Sequence, residues 1–337
     1  MGIAVLGQPL NPRNGDLALV GGTIYGSPTD EPILDGVVLI RDGKIAAVGA
    51  RALLPVPQTI PSLDCAGLTI TAGFWNSHVH FFERKWANAA AIPASELGRQ
   101  IQDMFTRYGF TSVFDLSSFW ENTRQLRGRV ESGEVPGPRI CSTGEGLVPP
   151  GAVPPDQVLN IMGMMRTPLP EISDAAQASA AARRLLDEGV DAIKLFASSP
   201  RGASLPESAI QAAVNEAHRL GKPAFTHPNS GVDVLTAVRA GVDIIAHTTP
   251  QSGPWDETIL AAMKERRVAL TPTYALMAKA GMSFRQILAS LTTAPAGRLE
   301  CPGAGGRTVH FTRWKDHLRQ LVRHEGGLTS WELQRPI

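Results

Sequence analysis

The sequence predicts an α/β chain: a small β unit followed by a parallel sheet of (β/α)8 barrel or open doubly wound type. Three observations carry this. Short apolar runs alternate with helical stretches from about residue 68 onward, the pattern of a parallel α/β sheet. Strand starts at 191, 223, 243 and 267 lie about 20–32 residues apart, against roughly 30 residues per unit of a barrel. Ahead of them, residues 17–48 alternate apolar runs with glycine-containing turns.

In the β unit, Leu17-Ala-Leu-Val20 stops at Gly21-Gly22 and Thr23-Ile-Tyr25 follows. Val37-Val-Leu-Ile40 and Lys44-Ile-Ala-Ala-Val48 flank Arg41-Asp42-Gly43. Asp-Gly between apolar runs marks a hairpin, because both central residues of the tight turn need positive φ. A β-sandwich-like domain is expected over residues 1–67, a barrel over 68–300 and an atypical basic stretch over 301–337.

Within the barrel, apolar strands are expected at 68–74, 111–116, 139–143, 191–196, 223–226, 243–246 and 267–271, with helices at 175–188, 207–220 and 258–266. Seven strands are counted and an eighth is missing, so the barrel is expected to be incomplete. Residues 145–172, with Pro149-Pro150-Gly151 and Met162-Gly163-Met164-Met165, read as a long loop after the third strand, either a surface excursion or a wall of a site. The last 37 residues hold six basic and three acidic residues. His310, His317 and His324 recur there every seven residues, which on a helix sets successive side chains about 10 Å apart, too far to share an ion.

Composition excludes several function classes. At 337 residues the chain has room for two domains or one large barrel. Hydrophobic residues make up 43% and charged residues 19%, too apolar for a disordered protein. Lys+Arg 32 against Asp+Glu 31 leaves +1, with no global field to recruit nucleic acid or an anionic membrane. No run of 18 apolar residues offers a transmembrane helix. The opening Met-Gly-Ile-Ala-Val-Leu lacks a basic leader region, and Leu6 stands where a myristoylation signal wants Ser or Thr. Cys65, Cys141 and Cys301 are widely spaced and form no CxxC pair. They read as reduced, in a cytoplasmic protein. A homo-oligomer is left open.

The chemistry concentrates at expected strand ends. In Thr71-Ala-Gly-Phe-Trp-Asn-Ser-His78-Val-His80 the two histidines are spaced i, i+2, which on a strand puts both on one face. Alone, such a pair is weak evidence. Asp191-Ala-Ile-Lys194-Leu-Phe adds a lysine inside an apolar strand, where an ammonium must be paired, deprotonated or chemically modified. A carboxylate partner, a Schiff-base role and carboxylation by CO₂ all remain open for Lys194. Ala224-Phe-Thr-His227 and Ile244-Ile-Ala-His247 each end an apolar strand with histidine. Barrel active sites gather at strand C-termini, and four neutral imidazoles favour Zn²⁺ among the common ions.

This ordered set, with the β unit ahead of it, resembles the amidohydrolase superfamily, in its imidazolonepropionase-like and Xaa-Pro-dipeptidase-like branch. Matching phrases are Gly36-Val-Val-Leu-Ile-Arg-Asp-Gly-Lys-Ile45, Asp64-Cys-Ala-Gly67, Gly73-Phe-Trp-Asn-Ser-His-Val-His80, Ile193-Lys-Leu195 and Ala280-Gly-Met-Ser283, so that residues 16–300 are covered. The resemblance implies a TIM barrel with a binuclear metal site. His78 and His80 would hold one divalent ion, and His227 and His247 the other. Carboxylated Lys194 and a hydroxide would bridge them. It implies hydrolysis of an amide or cyclic-amide C–N bond of a small molecule, with Lys194 and His247 as catalytic residues.

Two departures set a second expectation. The family carries an aspartate at the end of the eighth strand, commonly in a Gly-Thr-Asp phrase, that binds a metal and shuttles the proton. No such phrase occurs here. Leu270-Thr-Pro-Thr-Tyr274 runs directly into a stretch resembling the family's segment after that strand, as an internal deletion of one barrel unit would leave it. Residues 301–337 also lack the strand with which relatives return to the first domain. A catalytically impaired, metal-binding derivative is therefore the alternative. Asp256 and Asp316 are substitute carboxylates by availability only. Phe81-Phe82 and the 145–172 loop could line an apolar rim, and Arg201 could meet a substrate carboxylate.

Overall fold

The computed structural model describes residues 16–152, 156–161, 163–164, 169–199, 203–249, 254–271, 274–299 and 309–312. The N-terminal strands are β1 (Leu17–Tyr25), β2 (Ile33–Arg41), β3 (Lys44–Ala50), β4 (Ser62–Asp64) and β5 (Thr69–Ala72). β2 and β3 form the expected hairpin, closed at Arg41 opposite Lys44, with Asp42 at φ 48° and Gly43 at φ 71°. The two apolar runs on either side of Gly21-Gly22 form one continuous strand. Its register against β2 shifts between Val20 and Gly22, and again between Gly22 and Ile24. Hence β1 pairs β4 through its first half and β5 through its second.

These strands make one hydrogen-bonded sheet rather than two separate ones. A last strand, β13 (Val309–Thr312), lies antiparallel to β5 at its edge. The basic C-terminal stretch thus returns a strand to the first sheet, contrary to the expectation from sequence. Apolar side chains cover both faces of this sheet. Leu17, Leu19, Ile24, Val38, Ile40 and Ile70 pack in one cluster, and Ala18, Val37, Leu39 and Ile60 in another.

The expected strand at 68–74 is split: its first half is β5, and β6 (Phe74–Val79) starts after Gly73 and runs into the histidine pair. β7 (Phe110–Asp115) and β8 (Arg139–Ser142) follow it in one parallel sheet. β9 (Ile193–Phe196), β10 (Ala224–His227), β11 (Ile244–Ile245) and β12 (Ala269–Leu270) form a second. Leu147 joins the two sheets, donating its N–H to the Lys194 carbonyl and accepting from Phe196 N–H, both at 2.8 Å. The strands therefore run in sequence order as one arc, β6 to β12. The arc is not closed, because no eighth strand occurs among the described residues between β12 and β6.

Helices cover the outside: α1 (Ala94–Met104), α2 (Trp120–Glu131), the short α3 (Asp156–Ile161), α4 (Ala175–Asp187), α5 (Glu207–Arg219), α6 (Gly231–Arg239) and α7 (Glu257–Glu265). After β12 come α8 (Tyr274–Lys279), α9 (Phe284–Leu291) and α10 (Thr293–Arg298). Their starts are written in the sequence. Asp174, Ser230, Asp256 and Ser283 each accept a backbone N–H as N-cap, worth about 0.5–2 kcal/mol apiece. α4 buries Ala178, Ala182, Leu185 and Leu186, one helical stripe against β9 and α5. Inside the arc, Trp75, Phe114, Leu116, Phe225, Ile244 and Ala246 fill the core.

The described part of the 145–172 segment makes isolated strand-type pairings. Val148 bridges Glu171, and Met164 bridges Glu83 beside the histidine strand. Cys65 is a buried free thiol, and Cys301 lies outside the described residues. No helix among the described residues is long and apolar enough to cross a membrane.

Gly73 lets β6 approach β7. A Cβ at this position would stand 2.0 Å from Thr111 Oγ1 and 2.8 Å from Thr111 Cβ, so the strands themselves would have to separate. Gly73→Ala should lower stability by about 1–3 kcal/mol, the usual cost of overpacking. An unchanged urea midpoint would show that the two strands do not meet this closely.

Candidate active site

The open end of the arc gathers the candidate residues. His78 lies near the end of β6 and His80 just beyond it; His227 is the last residue of β10, and His247 follows β11 by two residues. Lys194 points inward from β9 and is 1% exposed. The four rings form two close pairs. His78 Nε2 and His80 Nε2 are 3.2 Å apart, and His227 Nδ1 and His247 Nε2 are 2.6 Å apart. His78 also stacks on His247, with centroids 5.8 Å apart and planes 13° from parallel. All five side chains predicted from sequence are brought together.

The hydrogen bonds on the far side of each ring fix where its proton sits. His78 Nδ1 is 2.8 Å from the Ala246 carbonyl, His80 Nδ1 3.1 Å from the Ser117 carbonyl, and His247 Nδ1 2.6 Å from the Thr248 carbonyl. A carbonyl only accepts, so each Nδ1 carries the hydrogen and each Nε2 is left with a lone pair. His227 is reversed: its Nε2 lies 3.2 Å from Asn229 Oδ1, so the proton belongs on Nε2 and the lone pair on Nδ1. Both close nitrogen pairs therefore set lone pair against lone pair.

Such contacts are repulsive unless a positive charge lies between them. Protonation is opposed. Burial, with the neighbouring histidine and lysine charges, pushes His80 and His227 down to about 3 and His78 well below its ordinary value; His247 is lowered too. Lys194, through its charge, lowers all four. Its Nζ is buried without a hydrogen-bond partner among the described residues, and burial pulls it down to about 7. Two opposed lone-pair dyads and an orphaned amine are the donor set that fits divalent cations. Among the described residues, no three His, Cys, Asp or Glu side chains converge as a ready-made ligand triad.

Backbone around the site is specialised. Ser117 holds φ 124°, a region costly for a side-chain-bearing residue at about 1–3 kcal/mol. That strained residue supplies the carbonyl which orients His80, and its Oγ accepts Gly146 N–H. Asp115, at the end of β7, is fully buried and accepts from Ser118 Oγ, from Ser142 Oγ at 2.6 Å and from Phe81 N–H at 3.3 Å. It thereby pins the turn directly after His80. Phe82 stacks on His80 with centroids 4.5 Å apart, and Phe196 packs on His227 at 5.1 Å.

Other predicted residues fall elsewhere. Phe81 is buried in the outer core against Trp86 and Phe105, so of the Phe81-Phe82 pair only Phe82 borders the site. Asp256 caps α7, accepting Ile259 N–H at 2.9 Å, and is no substitute for the missing aspartate. His310 lies in β13 of the first sheet. Arg201, Asp316, His317 and His324 lie outside the described residues. Sequence reasoning missed Ser117, Asp115 and Asn229. Asn229 carried a signal, since it follows His227 by two residues as His80 follows His78.

Residues 69–299 match the model of the amidohydrolase family. A curated relative, hydroxydechloroatrazine ethylaminohydrolase from Pseudomonas sp. (strain ADP), is 34% identical over 87 residues, which span 23% of this chain and 17% of that protein. Among solved structures, a Xaa-Pro dipeptidase with bound methionine superposes with TM-score 0.63 at 19% identity, over 94% of this chain and 86% of its own. Molinate hydrolase superposes with TM-score 0.60 at 23% identity, over 81% and 68%. At these identities the two structures speak for the fold.

The Asp115 carboxyl offers a test of the site's scaffold. Burial raises it from 3.8 to about 7, against the lowering effect of its hydroxyl and amide donors. Between these values the unfolded chain gives up a proton that the folded chain keeps, so this residue's contribution falls as pH rises from about 4 to about 7 and is level above. Asp115→Asn removes that titration. Urea denaturation of the metal-free protein at about pH 5 and about pH 8 should show the variant gaining on the wild type by roughly a few kcal/mol at the higher pH. A constant difference would mean that the donors keep Asp115 ionised throughout.

Proposed function

The chain belongs to the amidohydrolase family, and from that premise we propose that it is a metal-dependent hydrolase of amide or cyclic-amide C–N bonds in small molecules. The observation that carries the proposal is two imidazole pairs, His78–His80 and His227–His247, each set lone pair to lone pair, beside a buried amine that has no hydrogen-bond partner among the described residues. His78 and His80 would hold one divalent ion and His227 and His247 a second, with zinc favoured by an imidazole donor set. The metals, when bound, would supply Lewis acidity toward a carbonyl oxygen and toward water.

The chain's own residues prepare that chemistry. The carbonyls of Ala246, Ser117 and Thr248 and the Asn229 amide orient the rings, so ligation needs neither deprotonation nor a ring flip. Lys194, held near 7 by burial, has a substantial neutral fraction at neutral pH. Its amine can then add CO₂, forming an N–C bond and releasing one proton. The resulting carbamate would supply a negative charge that the described histidines lack. Phe82 and Phe196 flank the rings and shield them from water. The small-molecule class follows from the curated relative, an ethylaminohydrolase of hydroxydechloroatrazine, and the sequence favours no particular substrate within it.

One observation favours a second reading, an impaired metal-binding derivative. Among the described residues no eighth strand stands between β12 and β6, and no carboxylate joins the imidazoles. Loss of a general acid/base typically costs about 10²–10⁴ in rate.

Loading with zinc and bicarbonate, followed by metal analysis and assay on N-acyl amino acids and dipeptides, separates these readings. The proposal expects about two ions per chain and amide hydrolysis, with His78→Ala losing metal and activity together. Full metal content without turnover would establish the impaired derivative. A chain that retains no metal would overturn both.

A further inference from the structure

We infer that Asn229 is a positioning residue that fixes the tautomer of His227, aiming its Nδ1 lone pair into the site where the other three histidines aim Nε2. The amide is locked so that only one of its ends faces the ring. Asn229 Nδ2 donates to the Ser198 carbonyl at 2.9 Å and to Ser198 Oγ at 3.1 Å, leaving Oδ1 toward His227 Nε2. Ser198 Oγ donates in turn to Asp233 Oδ2 at 2.6 Å. The same carboxylate oxygen accepts Asn229 N–H and Ser230 N–H, both at 2.9 Å. Asp233 itself is set by the capping box at the start of α6. A helix cap thus orients a buried serine, the serine orients an amide, and the amide decides which nitrogen of His227 carries hydrogen.

The lock matters because His227 has an attractive alternative. With hydrogen on Nδ1 it would donate to His247 Nε2 across 2.6 Å, satisfying two ring nitrogens at once. That internal bond would spend the His247 lone pair and turn the His227 lone pair away from the site, onto Nε2. Asn229 Oδ1 opposes it, since an unprotonated Nε2 would then face a second acceptor. No other side chain is found on His227 Nε2 among the described residues.

The tautomer assignment stands on these contacts alone, whereas its consequence for metal affinity rests on the proposed function. Nitrogen-15 spectra of histidine-labelled, metal-free protein read the tautomer directly. Wild type should show His227 protonated on Nε2, and His78, His80 and His247 on Nδ1. In Asn229→Leu the His227 proton should move to Nδ1, and in Asn229→Asp, which keeps an acceptor, it should stay on Nε2. Zinc competition against a chelator should then give about 10–100-fold weaker binding for Asn229→Leu, the usual cost of losing such an orienting contact, and near-wild-type binding for Asn229→Asp. A wild-type His227 protonated on Nδ1 would overturn the inference without recourse to any variant, as would an Asn229→Leu chain whose tautomer is unchanged. The predicted tautomers in a wild-type chain that binds no zinc would sustain the role of Asn229 and refute the metal reading instead.

Discussion

The structure turns on an unfavourable contact: imidazole nitrogens brought together lone pair to lone pair. Each ring has spent its hydrogen on an acceptor behind it, through Ala246, Ser117, Thr248 or Asn229. Neutral rings free to choose would donate to one another. The fold forbids that choice by placing backbone carbonyls, which cannot donate, behind three of them. Burial then removes the other escape, protonation, by holding His80 and His227 down to about 3. The repulsion is maintained by bonds distributed over several strand ends, and a cation between the paired nitrogens would relieve it.

The arc of strands makes this possible because the four histidines and Lys194 come from four strand ends, those of β6, β9, β10 and β11, whose neighbours are fixed by packing. β9 and β10 pair in register from Ile193 opposite Ala224 to Phe196 opposite His227, which sets Lys194 two residues short of the level of His227. His78 reaches past the open edge to the Ala246 carbonyl, so the histidine strand is tied to β11 through the pocket even though no strand lies between β6 and β12 among the described residues. α9 supports the same strand from outside, packing Leu288 and Leu291 on Phe74. The open edge is thus partly spanned by a side-chain hydrogen bond and partly buttressed by a helix.

Much of this was legible in the sequence, for reasons that differ by residue. Apolar runs located the strands within a few residues, because buried parallel strands read as continuous hydrophobic segments. The boundary at 68–74 was misplaced since Thr69–Ala72 is equally apolar whichever sheet it joins, and nothing local reports the break at Gly73. His78, His80, Lys194, His227 and His247 were legible because a charged or basic residue closing an apolar strand is costly without a purpose. Ser117 was not, as a carbonyl's direction depends on φ and any residue supplies a carbonyl. Asp115 read as a strand terminus; its partners Ser118 and Ser142 come from separate loops, and sequence spacing does not report such meetings. β13 escaped notice because four residues in a basic stretch carry almost no periodicity.

Charge decides how far the proposed chemistry can go. Two divalent ions would bring four positive charges among four neutral imidazoles and an amine that burial drives toward neutrality. Carboxylation of Lys194, as proposed, would answer with one negative charge, and a hydroxide would add another. Among the described residues no carboxylate supplies the next: Asp115 is held by Ser118, Ser142 and Phe81, Asp233 by Ser198 and α6, and Asp256 by α7. Each is committed to the scaffold and unable to turn inward without unmaking what positions the histidines. The residues that orient the histidines and the residue that would complete their charge are therefore different, and among the described residues only the first set is in place. In such a site ligand geometry is the better-developed half of the machinery and proton transfer the weaker, so binding of cations should survive perturbations that abolish turnover.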